Sequence, residues 1–461
     1  MLKSSTVHLL VGPRHRNLVL TTSLLVFLIW LVLAAVYVSQ FPKTQLRTEQ
    51  FTILTLCIAV LSILLVYLRK GIGFHLAYIG YLSLAHLGTV SVFAMVPGVN
   101  YEDLFSRIPS WLESDYLPAA INVTGIGIIF FTLGALITPS SSAHLLKSNI
   151  SLDNRKNSLP RNPFYVTGLT LILVYFLYLL ASIISGKIVP FGSYSDYREA
   201  TGQSHTFLTL LFEFGICFVF ATGTKTQIKR TLPVIIACAV ILLSVGTRGQ
   251  LFYPTLMAIA LLYIRGQKLS VTAIFLLAFV MFIIFPAVRQ LRAGGITSFG
   301  LLDLGFSFFY PFLEAGVILR PLTVTYSWIA SGEAFALGRT YWIPVHNILA
   351  YLPGIDRPPL DGTRYFLTQR TPTQGYSTLA EAYFNFGYIG VAGKQFLISI
   401  IISTFTNKRI TPATFCFSAG LMLLLSRNIR GHFLSFPGHT IILSALILIP
   451  LILITVARIK R

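Results

Sequence analysis

A few charged side chains in an otherwise greasy sequence are framed as if for chemistry. Glu381 opens an apolar stretch reading EAYFNFGYIG, and at helical spacing Glu381, Asn385 and Tyr388 share one face. Glycines 387, 390 and 393 beside them are expected to let helices pack closely. A general base needs a carboxylate or imidazole next to the hydroxyl it deprotonates. Glu381 is the first candidate; Asp196 in GSYSDYREATG is the second and His346 in PVHN the third, with His432 and His439 as alternatives. No HExxH, Walker loop, GxGxxG or DxD pattern appears, so neither a nucleotide nor a metal is expected, and no cofactor.

Eight arginines are framed in the same way: Arg198, Arg248, Arg289, Arg292, Arg364, Arg370, Arg427 and Arg430. Arginine keeps its charge and presents a planar fork that grips phosphate oxygens two at a time, where lysine acts as a point charge. Arg248 lies in GTRG, a hairpin between two apolar stretches, where a charge is costly unless it faces a cavity or ligand. Aromatic residues crowd the same region, among them Trp328, Trp342, Tyr351, Tyr365, Tyr376 and Tyr383. Sugar rings stack on such side chains, so Tyr376 and Tyr383, with Asn385 for a hydroxyl, are candidate glycan contacts. Trp328 reads better as part of an interfacial aromatic belt.

The elements that must position these residues are membrane helices. Over 461 residues the chain is 55% hydrophobic and 11% charged, with a mean hydropathy of +0.76. A soluble domain carries roughly 25% charged residues, so this composition requires a polytopic membrane protein. About twelve apolar stretches are long enough to span, at 18–38, 51–68, 71–96, 117–137, 163–184, 206–224, 231–246, 250–264, 270–288, 383–405, 410–426 and 439–457. The first is expected to be an uncleaved anchor rather than a signal peptide. The four cysteines fall within these stretches and form no disulfide framework. One all-α integral domain, residues 1–461, is expected.

The net charge of +20 first suggests nucleic acid, yet basic residues of a membrane protein collect in cytoplasmic loops. With both termini cytoplasmic, 19 of the 35 basic residues lie inside and 15 outside, with Lys394 in a span. The inner set mixes 9 Lys with 10 Arg, whereas the outer set holds 13 Arg and 2 Lys. An outer face so biased to arginine points to phosphate or carboxylate recognition, although 13 acidic residues share that face and can pair with it. A large outer loop is expected over 289–382. Its apolar part, 306–330, carries Glu314, Arg320, Pro311 and Pro321, so it reads as an interfacial or re-entrant segment rather than a span. Glu213 and Lys394, inside spans, either pair for structure or line a cavity.

Three segments, GTRG at 246–249, SYSDYR at 193–198 and YSTLAEAYFNFGYIGV at 376–391, resemble the bacterial O-antigen polymerase (Wzy) family of oligosaccharide repeat-unit polymerases. The last is similar to that family's E-x-Y-x-N-F-G-x-x-G signature, and the layout with a large periplasmic loop matches too. The resemblance implies a GT-C-like, all-helical inner-membrane glycosyltransferase. It implies undecaprenyl-pyrophosphate-linked glycans as donor and acceptor, joined at the periplasmic face to build O-antigen or a related surface polysaccharide. The eight arginines would then bind pyrophosphate. Membrane lipids and a chain-length-regulating membrane protein are the implied partners, and nucleic acid is not. An O-antigen ligase acting on lipid A–core shares this outline. A lipid-linked oligosaccharide flippase fits less well, because its charges should line a central cavity.

Overall fold

A computed structural model of the chain describes residues 46–95, 110–139, 162–190, 192, 194–247, 249–267, 309–350, 367–371, 375–407 and 411–459. The chain divides into two compact units, Met1–Thr48 and Glu49–Arg461, and nearly all of the described residues belong to the second. Every regular element among the described residues is helical. The long helices are α1 (Leu46–Lys70), α2 (Phe74–Met95), α3 (Leu117–Ile137), α4 (Pro163–Ile184), α5 (Tyr194–Thr222), α6 (Lys225–Ser244) and α7 (Gly249–Ile264). After a gap come α8 (Tyr310–Gly316), α9 (Leu319–Ala330), α10 (Arg339–Leu349) and α11 (Leu367–Arg370). The chain then continues through α12 (Thr378–Asn407), α13 (Pro412–Asn428), a single 3₁₀ turn (Phe433–Ser435) and α14 (Phe436–Ile459).

Ten of the expected spans fall on described residues, and each coincides with one of these helices. Among the described residues eight helices are long and apolar enough to cross a bilayer, while α7 and α13, at 16 and 17 residues, are shorter. The expected spans at 18–38 and 270–288 lie outside the described residues. Segment 306–330 is no single helix: α8 and α9 meet at Val317–Ile318, and α8 packs against α2.

The two most extensive helix pairings are α3 with α12 and α4 with α5. Small residues set how closely they approach. A Cβ on Gly215 of α5 would lie 2.8 Å from the Gly168 carbonyl oxygen of α4, and one on Gly168 equally close to that of Gly215. Without a hydrophobic force between helices in lipid, such backbone contact is what holds them. Side chains of α4, α6 and α14 remain largely exposed and apolar, including Leu177, Val240 and Ile452, as suits a lipid-facing rim.

Two of the basic residues expected on the inner side cap helix ends. Lys70 donates to the Thr138 and Pro139 carbonyls at the end of α3, at 3.0 and 2.6 Å. Arg265 does the same for the Phe220 and Gly223 carbonyls at the end of α5, both at 2.7 Å. Each cation meets the negative end of a helix whose last carbonyls have no partner of their own.

Candidate functional site

The EAYFNFGYIG stretch is two helices spliced end to end. Within α12 the backbone leaves helical geometry at Phe386 (φ −141°, ψ 21°) and Gly387 (φ 59°, ψ −144°). A residue with a Cβ is strained in the second of these conformations, so glycine is required there. The break frees carbonyls that lipid could not satisfy, and the segment before α10 plugs it. Ala336 and Leu337 N–H donate to the Phe384 and Asn385 carbonyls at 2.9 and 3.1 Å. Gly338 N–H donates to Asn385 Oδ1 at 2.8 Å, while Asn385 Nδ2 donates to Thr340 Oγ1 at 2.6 Å and to the Glu381 carbonyl at 2.8 Å. Asn385 is therefore the splice.

Upstream, Ser377 caps the first piece. Its hydroxyl accepts from Leu379 and Ala380 N–H at 3.2 and 3.3 Å, and His86 of α2 bonds it at 2.7 Å. The first piece folds back along the second, so that Gly390 lies against the Ala382 carbonyl oxygen. Glu381 and Lys394, separated by thirteen residues and so by about 20 Å in a straight helix, form an ion pair at 3.0 Å instead. Both Glu381 oxygens also accept from Phe433 N–H, at 3.0 and 3.1 Å. The carboxylate is 1% exposed and the amine 15%. Tyr341 joins them: its ring lies 4.8 Å from the Lys394 amine, and burial, with Glu381 nearby, pushes its phenol well above the usual range. It therefore keeps its proton.

Two expectations change here. Glu381 and Asn385 do lie a turn apart in one short helix, but Tyr388 follows the break and does not continue their face; its ring meets Tyr383 edge-on at 5.4 Å. The three glycines do not act alike. Gly387 makes the turn and Gly390 allows the fold-back, while a Cβ on Gly393 would meet nothing within 4 Å.

The three candidate arginines with described side chains are all engaged by neighbours. Arg370 forms a two-pronged pair with Glu333, at 2.9 and 2.7 Å, and its guanidinium lies 3.5 Å over Trp328. Trp328, expected in an interfacial belt, is thus the platform for an arginine. Arg427 pairs with Glu213 at 2.6 Å, which gives that intramembrane carboxylate a partner other than Lys394. Arg430, largely buried, interacts electrostatically with Tyr81, Tyr253 and Glu314. The turn from Arg427 to Phe433 therefore ties α5, α2 and the Glu381 pair together. Arg248, Arg289, Arg292 and Arg364, with the side chains of Asp196 and Arg198, lie outside the described residues.

Of the candidate glycan contacts, Tyr376 and Asn385 are fully buried, the Tyr376 hydroxyl sharing a 2.6 Å bond with Thr325. Tyr383 is 5% exposed and stacks on Tyr326 at 5.2 Å. In this conformation all three build the site's frame. His346 packs against Trp342 of its own helix. The sequence reading missed Ser377, His86, Lys394 as the partner of Glu381, Tyr341 and Asn428. A glutamate and a lysine thirteen residues apart in one apolar run, with an asparagine and a glycine between them, were the signal available.

Along the second piece of α12 runs a largely apolar cleft of about 690 Å³, with Tyr341, Lys394 and Asn428 on its wall. The family model for O-antigen polysaccharide polymerase Wzy matches residues 18–461. The chain belongs to the Wzy polymerase family. Protein CapE of Staphylococcus aureus is 28% identical over 394 residues, covering 84% of this chain and 87% of that relative. No solved structure matches the chain. The run at 376–391 that carries the sequence resemblance is the broken helix: cap, carboxylate, splice, turn and fold-back in order.

Proposed function

We propose that this Wzy-family chain is a glycosyltransferase of the bacterial inner membrane. It joins undecaprenyl-pyrophosphate-linked oligosaccharide repeat units at the periplasmic face, with both termini cytoplasmic. The observation that carries this is the buried Glu381–Lys394 pair, assembled by a break in a membrane helix and placed beside a cleft open to lipid. Discontinuous helices at substrate sites serve transporters in the same way, offering polar groups at a depth where regular helices offer none.

In the reaction, the hydroxyl at the end of the acceptor glycan attacks the anomeric carbon of the donor. A new carbon–oxygen bond forms there, and the bond from that carbon to the pyrophosphate oxygen breaks. Glu381 takes the proton of the hydroxyl, with Asp196 as the second candidate. The electron pair leaves on the pyrophosphate. That leaving group departs only if its growing charge is stabilised, and cations already in place do so without reorganising. Arg370, Arg427 and Arg430, with Arg198, Arg248, Arg289, Arg292 and Arg364, are assigned to this charge. The contact that Arg370 makes with Trp328 holds its fork in one orientation.

Purified full-length protein in liposomes, given lipid-linked repeat units, should lengthen them into a ladder of products. Glu381→Gln, Arg248→Ala and Arg370→Ala should each abolish the ladder while the protein still reaches the membrane. Ladders of normal length from the two arginine variants would overturn the arginine assignment. A wild-type protein that transferred whole glycans to a lipid A–core acceptor without lengthening them would identify a ligase.

A further inference from the structure

The cleft beside α12 has an architecture that helix packing does not explain. Ile389, Leu397 and Ile401 line it from one helix, at 83%, 57% and 38% exposure, and Leu425 and Phe436 face them. From Ile389 to Ile401 the helix rises about 18 Å, a little more than half the roughly 30 Å hydrocarbon core. Gly393 lies in the middle of this wall. A glycine inside a helix costs about 1 kcal/mol relative to alanine, and here no neighbour approaches within 4 Å of where a Cβ would be. No close contact calls for this glycine; the lack of a side chain leaves the floor of the cleft open.

The polar residues on the cleft wall point to a particular kind of occupant. Lys394 contributes a cation, its stem leaning toward the N-terminal end of the helix as helical side chains do. Among the described residues the buried Tyr341 hydroxyl and Asn428 Oδ1 have no hydrogen-bond partner, and Asn428 is only 9% exposed. Buried polar groups left unpaired are costly, so a pair of them on one cleft wall calls for a ligand that supplies partners. Plain acyl chains supply none. A lipid with one long apolar chain, an anionic group and hydroxyls does.

We infer that this cleft seats the polyprenyl chain of the donor lipid, with Lys394, Tyr341 and Asn428 meeting its head. The assignment to donor over acceptor rests on the proposed polymerase reaction. The donor's chain is joined directly to the pyrophosphate that leaves, so chain and reacting carbon lie close together. The acceptor's lipid is at least a whole repeat unit away from its attacking hydroxyl. A cleft walled by apolar side chains, with Lys394, the partner of Glu381, among its lining residues, therefore suits the donor.

Two measurements on the full-length protein in liposomes test this. In the first, p-benzoylphenylalanine replaces Ile401, and labelled undecaprenyl pyrophosphate is added and illuminated. Cross-linking should be competed by unlabelled undecaprenyl pyrophosphate, spared by equal phosphatidylglycerol, and cut by Gly393→Phe, which puts a ring on the cleft floor at a position whose Cβ meets nothing within 4 Å. No cross-link, or equal competition by phosphatidylglycerol, overturns the proposal, and this readout does not depend on polymerase activity. In the second, a lipid-free repeat-unit acceptor is used with donors bearing the full polyprenyl chain or a short one. The wild type should favour the long-chain donor by at least about tenfold, the worth of roughly two buried methylenes, and Gly393→Phe should erase that preference. Gly393→Leu repeats the test with a smaller plug. A preference kept in both variants, or absent from the wild type, overturns the donor assignment. A wild type that elongates nothing but still cross-links overturns the polymerase reading and leaves the cleft as a polyprenyl-pyrophosphate site.

Discussion

Lys394→Met isolates what the broken helix accomplishes energetically. It removes the ammonium that lies 3.0 Å from Glu381 and keeps most of the apolar stem. Glu381 is then a carboxylate at 1% exposure whose remaining partner here is the Phe433 N–H, at 3.0 and 3.1 Å. Stripping the partner from a buried charge costs about 3–5 kcal/mol. Glu381→Gln should be gentler. The amide still accepts from Phe433, and Lys394, at 15% exposure, can swing its amine into the cleft. A loss of about 1–3 kcal/mol is expected for that variant. In the double variant no uncompensated carboxylate remains, so its stability should exceed that of Lys394→Met, with a coupling of about 0.5–3 kcal/mol. Thermal midpoints of the detergent-solubilised protein, followed by size-exclusion chromatography after heating, give the order directly. The expected ranking is wild type, then Glu381→Gln, then the double variant, then Lys394→Met. Lys394→Met within about 0.5 kcal/mol of wild type, the scale of an ordinary surface change, would refute the reasoning, and so would strict additivity in the double variant.

Other perturbations probe the same frame. Gly387→Ala forces a Cβ into a backbone conformation that costs about 1–3 kcal/mol and brings it within 3.3 Å of Phe335; a lowered thermal midpoint together with lost elongation is expected. Arg427→Ala leaves Glu213, 1% exposed, without its cation, and should cost about 3–5 kcal/mol in the same assay, more than Glu213→Gln does. Arg370→Lys loses the two-pronged pair and the stacking on Trp328, but both partners are about one-fifth exposed, so its thermal midpoint should barely move, in line with the roughly 0–1 kcal/mol of exposed pairs, while elongation falls. Gly215→Ala drives a methyl against the Gly168 carbonyl and should cost about 1–3 kcal/mol in thermal stability without altering the donor-chain preference.

The membrane helices were legible because their signal is local. Runs such as 117–137 and 163–184 announce themselves by unbroken apolarity, and α3 and α4 occupy those same residues. The prolines and charges of 306–330 likewise argued against a clean span, and that stretch is divided between α8 and α9. Glu381 stood out as a rare carboxylate at the head of an apolar run. The break at Phe386–Gly387 was not legible, because a glycine in a membrane helix serves equally for close packing or for a turn, and the sequence does not say which. A shared face for Glu381, Asn385 and Tyr388 assumed a straight helix, and that assumption failed at Gly387.

What the sequence determined by itself is the solvent and the inventory: a chain that must live in lipid, with 35 basic residues against 15 acidic ones. Only the tertiary structure decided which charges meet. Arg427 finds Glu213 across more than two hundred residues, and Phe433 N–H closes on Glu381 from a different helix pair. In lipid each buried polar group must find a partner, but any of several distant groups can supply it, so the choice rests on how the helices pack. That packing set the broken end of α12 against α10 and the Phe433 turn, and opened the cleft beside Lys394.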